Sequence, residues 1–172
     1  LNDIHTLVFD FDGVLTNNKV HISEEGKESV VCDRSDGLAF DMLRKYRESH
    51  NKKFDIFILS TEKNQVVSIR AKKYKIDCYQ GVEDKLSFLK KFLLDRFPLN
   101  SLKEKGIIYL GNDLNDYSSM KFAGFSVAPI DAHPEIIKIA DIVINKKGGE
   151  GFVRSFVEEF FTDNNVEIEN LL

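Results

Sequence analysis

Residues 107–116, IIYLGNDLND, join a short apolar run to a crowded group of polar side chains. The four apolar residues predict a buried strand, and Gly111 lets the chain turn at its end. Asn112, Asp113 and Asp116 follow within a few positions, so the group could bind a metal ion or cap the next helix. For a metal site the neutral amide of Asn112 is unexpected, because a carboxylate would bring negative charge to the cation.

The rest of the chain repeats this change from an apolar run to a helix-like segment. Strand candidates are HTLVF (5–9), FDIFIL (54–59), IIYL (107–110), FSVA (125–128) and DIVI (141–144). Helix candidates are GLAFDMLRKYRESH (37–50), NQVVSIRAKKYK (64–75), DKLSFLKKFLLDRF (84–97) and a shorter segment after Asp113. Such alternation builds a parallel sheet with helices on both faces. We therefore predict an α/β fold, a three-layer Rossmann-like parallel sheet.

One segment departs from the alternation. In KVHISEEGKESVVC, residues 19–32, two β-rich runs flank the sequence EEG, which is typical of a hairpin. The segment follows the first strand directly. We therefore predict a β-hairpin insertion after the first strand that projects from the carboxyl edge of the sheet.

The length of 172 residues suits one well-buried domain. We place this domain at 1–161 and expect a polar, acidic C-terminal tail at 162–172 that is disordered or docks on a neighbour. The chain does not begin with Met, which suggests either a trimmed chain or a piece of a longer protein.

Composition and charge exclude several classes of protein. No apolar run is long enough to span a bilayer, and the start lacks the pattern of a signal peptide. The net charge of −4 argues against nucleic acid as a partner, because binding a phosphate backbone needs a basic face. Cys32 and Cys78 have no metal-type spacing and predict free thiols in a reducing cytoplasm.

Polar residues gather at the predicted carboxyl ends of the strands, where open α/β sheets place their reactive crevice. They are Asp10, Asp12, Ser60, Thr61, Lys85, Asn112, Asp113 and Asp116. Alone, each has a simpler explanation as a turn, a helix cap or a surface residue. Together they suit phosphoryl transfer through an aspartyl-phosphate. One carboxylate attacks phosphorus, and a second, two residues on, protonates the leaving oxygen and then activates water.

Four segments resemble the four motifs of the haloacid dehalogenase phosphatase superfamily. They are VFDFDGVLT (8–16), LST (59–61), DK (84–85) and GNDLND (111–116), and the resemblance covers nearly the whole chain. Four further segments resemble the capless branch that includes 3-deoxy-D-manno-octulosonate 8-phosphate phosphatase: SDG (35–37), QGVEDK (80–85), DAHPE (131–135) and GGEGFVR (148–154). Within it, the chain is most similar to nonulosonate (acylneuraminate) 9-phosphate phosphatases and to the C-terminal domain of bacterial acylneuraminate cytidylyltransferases, which implies a place in sialic acid biosynthesis.

The resemblance implies roles for the residues of the first three motifs. Asp10 would be the nucleophile and a Mg²⁺ ligand through its carboxylate. Asp12 would be the general acid and base, and a metal ligand through its backbone carbonyl. Ser60 and Lys85 would bind the phosphoryl group. Thr61 stands where many relatives have glycine, which would narrow the substrate site.

The fourth motif departs from the family pattern. Asn112 stands where the superfamily usually has an aspartate as the third metal ligand. Asp113 and Asp116 match the rest of the motif, and Asp113 could compensate through a metal-bound water while Asp116 has a supporting role. We expect a working but weakened Mg²⁺ site; the alternative is that Asn112 marks decay toward a scaffold role.

The predicted second helix offers a substrate-binding group. Glu62, Arg70 and Lys73 have the spacings that the resemblance implies for nonulosonate phosphatases, whereas octulosonate phosphatases tend to have arginine in place of the glutamate. Arg70 and Lys73 share one helical face and suit the carboxylate of a sugar acid. A charged surface helix is the alternative interpretation.

Two functions remain in competition. The first is a Mg²⁺-dependent phosphatase of a sugar acid phosphate such as N-acylneuraminate 9-phosphate. The second is a non-catalytic assembly or regulatory domain of an acylneuraminate cytidylyltransferase. The intact Asp10, Asp12, Ser60 and Lys85 favour the enzyme. Without a cap domain, the site would need cover from a neighbouring subunit, and the resemblance implies a homotetramer in which Arg70, Lys73 and Arg154 act across an interface.

Overall fold

The computed structural model describes residues 4–99 and 103–171. Strands and helices alternate along the chain, with two short strands inserted after the first. In chain order they are β1 (Thr6–Phe9), β2 (His21–Ile22), β3 (Glu28–Ser29), α1 (Ser35–Ser49), β4 (Asp55–Leu59), α2 (Val66–Tyr74), β5 (Asp77–Tyr79), α3 (Lys85–Arg96), β6 (Ile107–Leu110), α4 (Tyr117–Phe122), β7 (Phe125–Pro129), α5 (Pro134–Ile139), β8 (Ile142–Ile144) and α6 (Phe152–Asp163).

Six parallel strands form the central sheet in the order β5-β4-β1-β6-β7-β8. On one side of β1 lie β4 and then β5, which come next in the chain. The chain then returns to the other side of β1 with β6. At the carboxyl end of β1, Phe9 is in register with Ile58 on one side and Leu110 on the other. This reversal of strand order opens a crevice above β1, which is where ligands bind in open α/β sheets.

Alternate strand residues point to opposite faces of the sheet, and each face carries its own core. On one face, Leu7 and Phe9 pack with buried residues of α1, α2 and α6. On the other face, Val8 and Tyr109 pack with buried residues of α3, α4 and α5. The predicted three-layer α/β fold is therefore confirmed.

The predicted hairpin is present as β2 and β3, which pair antiparallel with His21 opposite Ser29. Gly26 closes its turn with a φ of +75°, a conformation that glycine adopts without strain. Residues 18–29 are all exposed, and the Asn64 amide donates a hydrogen bond to Glu28 at 3.0 Å. The hairpin thus projects from the body of the domain.

Two short elements were missed by the sequence interpretation. β5 has three residues, none of them fully buried, so it lacks the apolar run that identified the other sheet strands. α5 is a six-residue helix that begins at Pro134, and its only fully buried side chain is Ile136. Neither is long enough to show a clear hydrophobic period.

Within the described residues, the tail predicted at 162–172 folds against its own domain. α6 continues to Asp163, past the boundary placed at residue 161. A 3₁₀ turn at Ile168–Leu171 then packs against α1 of the same chain and buries Leu171. No helix among residues 4–99 and 103–171 has both the length and the apolar character needed to cross a membrane.

Candidate active site

Asp10 is the first residue after β1 and is almost completely buried. Its Oδ1 accepts a hydrogen bond from the Phe11 backbone N–H at 2.7 Å and lies 2.8 Å from the Lys85 ammonium. Burial raises the pKa of Asp10, the nearby Asp116 carboxylate raises it further, and the positive charge of Lys85 opposes both effects. Because the two contacts use Oδ1, the carboxylate orientation is fixed while Oδ2 remains for chemistry.

Lys85 joins two carboxylates that are far apart in sequence. It opens α3, whose N-cap Asp84 accepts a hydrogen bond from the Ser87 N–H. Its ammonium lies 2.7 Å from Asp116 Oδ1 as well as 2.8 Å from Asp10, and its side chain is only 1% exposed. Burial lowers the pKa of Lys85, but the two carboxylates raise it by more, so the ammonium stays charged.

Asp116 organises the loop that follows β6. Its Oδ2 accepts hydrogen bonds from the backbone N–H groups of Asn112 at 3.0 Å and Asp113 at 3.4 Å. Its Oδ1 accepts a hydrogen bond from the buried Tyr109 hydroxyl at 2.8 Å. The Asp113 carboxylate accepts a bond from the Leu114 N–H, and Asp113 and Asp116 form a capping box at the start of a 3₁₀ turn. The cap interpretation of this motif is therefore correct, and it coexists with a position at the crevice.

Asp12 lies half-buried on the loop after β1. The Thr16 hydroxyl donates a hydrogen bond to its Oδ1 at 3.4 Å. Burial raises the pKa of Asp12, and the nearby Glu62 charge raises it further. A carboxyl group whose pKa lies above its ordinary value holds a proton more readily, which suits a general acid.

Two glycines allow the loops of the site to approach one another. Gly13 has a φ of +79°, and a Cβ there would collide with the Asn112 side chain. A Cβ at Gly148 would collide with the Gly13 carbonyl, and the Gly149 N–H donates a hydrogen bond to Val14 O at 3.1 Å. The GGEG segment therefore packs against the first motif, a role that its sequence alone does not reveal.

These side chains line a cleft of about 310 Å³ at the carboxyl end of the sheet. Its lining residues are Asp10, Asp12, Asn18, Ser60, Thr61, Asn112, Asp113 and Asn115. Asn18 and Asn115 were not among the predicted site residues. Asn18 has a φ of +58°, and an Asn-Asn pair at 17–18 was the available signal for this turn. A larger cleft of about 670 Å³ lies at the opposite edge of the sheet, beside His5 and Phe97, and none of the predicted site residues line it.

The residues present fit a hard divalent cation. Asn112 Oδ1 is buried and has no hydrogen-bond partner in the part of the chain that the structure describes. An orphaned carbonyl oxygen beside Asp10 and Asp12 is a suitable ligand for Mg²⁺, which prefers oxygen donors. No three His, Cys, Asp or Glu side chains within residues 4–99 and 103–171 gather as a metal site. The proposed ligand set does not require such a trio, because it includes an amide and a backbone carbonyl.

The predicted substrate-binding residues lie outside this cleft lining, except for Thr61. Glu62 is half-buried, and its Oε1 accepts hydrogen bonds from its own loop, from the Lys63 and Asn64 N–H groups. Arg70 donates a hydrogen bond to the Asp33 carbonyl at 3.2 Å, and Lys73 is exposed.

Arg154 lies on a different helix and pairs with its own neighbour. Its Nε donates a hydrogen bond to Glu158 Oε1 at 2.6 Å, one turn along α6. The structure thus brings together the four motif segments but does not bring Arg70, Lys73 and Arg154 into the same cleft lining.

The chain is similar to a known protein family, to characterised relatives and to solved structures. The family model for haloacid dehalogenase-like hydrolases matches residues 33–155. The 3-deoxy-D-manno-octulosonate 8-phosphate phosphatase KdsC of Salmonella typhi is 31% identical over 153 residues, 88% of this chain and 76% of that protein. The solved phosphatase of the same name from Yersinia pestis is 28% identical, with a TM-score of 0.82 over 95% of this chain and 83% of the other. The solved phosphatase of the same name from Moraxella catarrhalis is in complex with a magnesium ion, a phosphate ion and a KDO molecule. It is 27% identical to this chain, with a TM-score of 0.82 over 95% of this chain and 88% of the other.

Proposed function

The chain belongs to the haloacid dehalogenase-like hydrolase family and is a phosphoric monoester hydrolase, and on this premise we propose that it hydrolyses a sugar acid phosphate with the help of Mg²⁺. The single observation that carries the proposal is the buried Asp10–Lys85–Asp116 cluster, with Asp12 and Asn112 lining the cleft beside Asp10. A relative with the same reaction class is the octulosonate phosphatase KdsC.

In the proposed reaction Asp10 acts as the nucleophile. One carboxylate oxygen bonds to phosphorus as the ester oxygen leaves, and Asp12 gives its proton to that oxygen. Asp12, now a carboxylate, then takes a proton from water, which attacks phosphorus and releases phosphate from Asp10. The raised pKa of Asp12 supports its role as the proton donor in the first half.

Ser60 and Lys85 supply the groups that hold the phosphoryl oxygens. Ser60 is the first residue after β4, is buried and lines the cleft, and its hydroxyl accepts a hydrogen bond from the Glu62 N–H at 3.1 Å. Asp10, the Asp12 backbone carbonyl and Asn112 would hold Mg²⁺, with Asp113 near by. When bound, the cation offsets the repulsion between the carboxylates and the phosphate.

Within sugar acid phosphates, we propose a nonulosonate 9-phosphate such as N-acylneuraminate 9-phosphate. The supporting feature is the Glu62, Arg70 and Lys73 set, in which two cations suit a carboxylate and one carboxylate suits hydroxyl or amide donors. The named relatives act on an octulosonate 8-phosphate, so both sugar acids belong in the substrate series.

We also propose that the working form is a homotetramer. The cleft is open, and the projecting hairpin carries exposed apolar side chains at Val20, Ile22 and Val31. Exposed apolar groups next to a site that needs cover are typical of an assembly surface. In this assembly Arg70, Lys73 and Arg154 would reach the cleft of a neighbouring subunit.

The test is hydrolysis of a panel of sugar acid phosphates with and without Mg²⁺. Asp10→Asn should abolish turnover, because it removes the nucleophile while nearly preserving shape, and Asp12→Asn should reduce it almost as severely. Asp95→Asn, on the exposed side of α3, is the matched control and should leave turnover unchanged. Turnover retained in Asp10→Asn would rule out the covalent mechanism. Wild-type protein that neither binds Mg²⁺ nor releases phosphate would instead support the assembly-domain alternative.

A further inference from the structure

The 60–64 loop, STEKN, connects β4 to α2 and carries groups that the proposed function uses. Ser60 and Thr61 line the cleft, and Glu62 follows them directly. Glu62 is the acidic member of the proposed substrate-binding set. The orientation of its carboxylate therefore decides whether it can accept hydrogen bonds from the hydroxyl or amide groups of a sugar.

The Glu62 carboxylate is held by two successive peptide groups of its own loop. Its Oε1 accepts hydrogen bonds from the Lys63 N–H at 2.6 Å and the Asn64 N–H at 2.7 Å. Because a trans peptide group is planar, its C=O and N–H point in opposite directions. Any group that holds the carbonyls of these two peptide groups therefore also fixes the N–H groups that bind Glu62.

Residues 80 and 81, just after β5, hold both of these carbonyls. The Glu62 carbonyl, which shares a peptide group with the Lys63 N–H, accepts a hydrogen bond from the Gly81 N–H at 2.8 Å. The Lys63 carbonyl, which shares a peptide group with the Asn64 N–H, accepts one from Gln80 Nε2 at 2.9 Å. The same Nε2 donates a longer bond of 3.4 Å to the Asn64 carbonyl. A peptide group whose carbonyl accepts a hydrogen bond is also a stronger donor through its N–H.

The other end of the Gln80 side chain binds the start of α2. Its Oε1 accepts a hydrogen bond from the Ser68 N–H, in the first turn of that helix, at 3.1 Å. Such N–H groups have no partner within the helix and are usually bonded by the N-cap side chain. Within the described residues, the N-cap side chain of Gln65 makes no capping bond, and Gln80 takes its place from another segment. The amide orientation of Gln80 follows, because its oxygen faces an N–H and its nitrogen faces carbonyls.

We propose that Gln80 is a positioning residue whose side-chain amide fixes the 60–64 loop so that the Glu62 carboxylate is oriented for the hydroxyl or amide donors of a sugar acid substrate. The last clause rests on the proposed function, which assigns those donors to Glu62. A carboxylate oriented before the substrate arrives loses less entropy on binding. Ser60 is anchored separately, since its carbonyl accepts a hydrogen bond from the Val82 N–H at 3.0 Å. Gln80 should therefore affect sugar binding more than the phosphoryl-transfer step.

The first experiment measures the loop directly and needs no substrate. In NMR spectra of the isotope-labelled protein, Gln80→Met should raise the hydrogen-exchange rate of the Asn64 N–H about fivefold or more, because its peptide group is no longer held at the carbonyl. Gln65→Met, the same substitution at an exposed glutamine before α2, is the matched control and should leave that rate unchanged. The amides of β1 should exchange at wild-type rates in both variants, which reports that the fold is kept.

A second substitution separates the two ends of the Gln80 side chain. Gln80→Glu keeps an oxygen for the Ser68 N–H, but at pH 8 it has no hydrogen to donate to the Lys63 and Asn64 carbonyls. It should therefore raise the exchange rate at Asn64 as Gln80→Met does. Wild-type exchange at Asn64 in both variants would overturn the proposal.

The second experiment compares a sugar acid phosphate with p-nitrophenyl phosphate, whose leaving group offers no hydroxyl or amide donor. For Gln80→Met, the ratio of KM for the sugar acid phosphate to KM for p-nitrophenyl phosphate should rise about fivefold relative to wild type, while kcat for p-nitrophenyl phosphate stays within about twofold. In a Glu62→Ala background the same substitution should leave the ratio unchanged, and a further rise there would overturn the proposal.

Failure of the proposed function gives a different result from failure of this inference. If Glu62→Ala does not change the KM ratio while the exchange rate at Asn64 still responds to Gln80→Met, the proposed recognition of the sugar by Glu62 fails. The positioning of the 60–64 loop by Gln80 then stands.

Discussion

At the scale of single residues, Lys85 is enclosed by Asp10 and Asp116, and all three side chains are almost fully buried. One ammonium and two carboxylates leave an excess of negative charge, to which Asp113 in the cleft adds. A buried cluster of this kind is costly to build and needs compensating hydrogen bonds, which the Tyr109 hydroxyl and the backbone N–H groups near Asp116 provide. The remaining negative charge favours a cation at the mouth of the cleft.

The neutral side chain of Asn112 makes a prediction about that cation. Its buried Oδ1 can bind Mg²⁺ but contributes no charge, so Asn112→Asp should lower the Mg²⁺ concentration needed for half-maximal activity. Asn112→Ala removes the ligand and should raise it. Isothermal titration calorimetry with Mg²⁺ alone should rank the affinities of the three proteins for Mg²⁺ in the same order, without a measurement of turnover. If neither substitution changes the affinity for Mg²⁺, Asn112 is not a ligand.

At the scale of elements, α6 receives its N-terminal cap from another helix. Its own N-cap is Gly151, which has no side chain to accept a hydrogen bond, and Asp36 of α1 accepts from Arg154 instead. The two helices pack together on one face of the sheet, so this contact fixes their relative position. The segments SDG and GGEGFVR, which are more than 100 residues apart in the chain, thus meet in one joint.

This joint predicts how stability depends on pH. Burial raises the pKa of Asp36 from the ordinary 3.8 to about 7, so the folded protein binds this proton more tightly than the unfolded chain. The contribution of Asp36 to the free energy of unfolding therefore falls as pH rises from about 4 to about 7, by up to about 4 kcal/mol, and is constant above that range.

Asp36→Asn removes this titration while keeping the hydrogen-bond acceptor. In urea denaturation the variant should gain stability over wild type as pH is raised from 5 to 8. The exposed Asp41→Asn should differ from wild type by nearly the same amount at both values. A gain for Asp36→Asn that does not grow with pH would show that Asp36 does not titrate in this range.

At the scale of the whole molecule, the tip of the hairpin is exposed and projects from the domain. Its strands contact each other, and its apolar Ile22 is 69% exposed. The cleft lies at the same carboxyl edge of the sheet from which the hairpin emerges. We propose that copies of the chain pack their hairpins together, which would bury this apolar surface and cover the cleft.

The proposed tetramer is tested by a charge on the hairpin. Ile22→Asp should leave the folded chain stable, because the side chain is exposed, but it should reduce the mass measured by light scattering. Activity on sugar acid phosphates should fall more than activity on p-nitrophenyl phosphate, because in the proposed tetramer the neighbouring subunit would supply Arg70 and Lys73. Leu94→Asp, at a residue on α3 that is 56% exposed, is the control. A monomeric wild type with full activity would contradict the proposal.

The sequence by itself determined five of the six strands of the sheet and the residues at its carboxyl edge. Buried strands such as 54–59 and 107–110 are apolar over several positions, and the first polar residue after each must lie at that edge. Asp10, Ser60 and Asn112 could therefore be assigned to one crevice, and the structure places them in one cleft. The short hairpin was predictable for a similar reason, because its turn and both strands are neighbours in the chain.

Only the tertiary structure decided which distant groups touch. Three contacts depend on segments that meet only in the folded chain. The Tyr109 hydroxyl donates a hydrogen bond to Asp116, the Gly148 backbone lies close to Gly13, and Asp36 accepts a hydrogen bond from α6. Leu171 likewise folds back onto α1, although the polar tail around it predicted otherwise. Local patterns record whether a residue faces a core or solvent, because that follows from the period of its own strand or helix. Local patterns do not show which residue of another element will be its contact, because that depends on how whole elements pack.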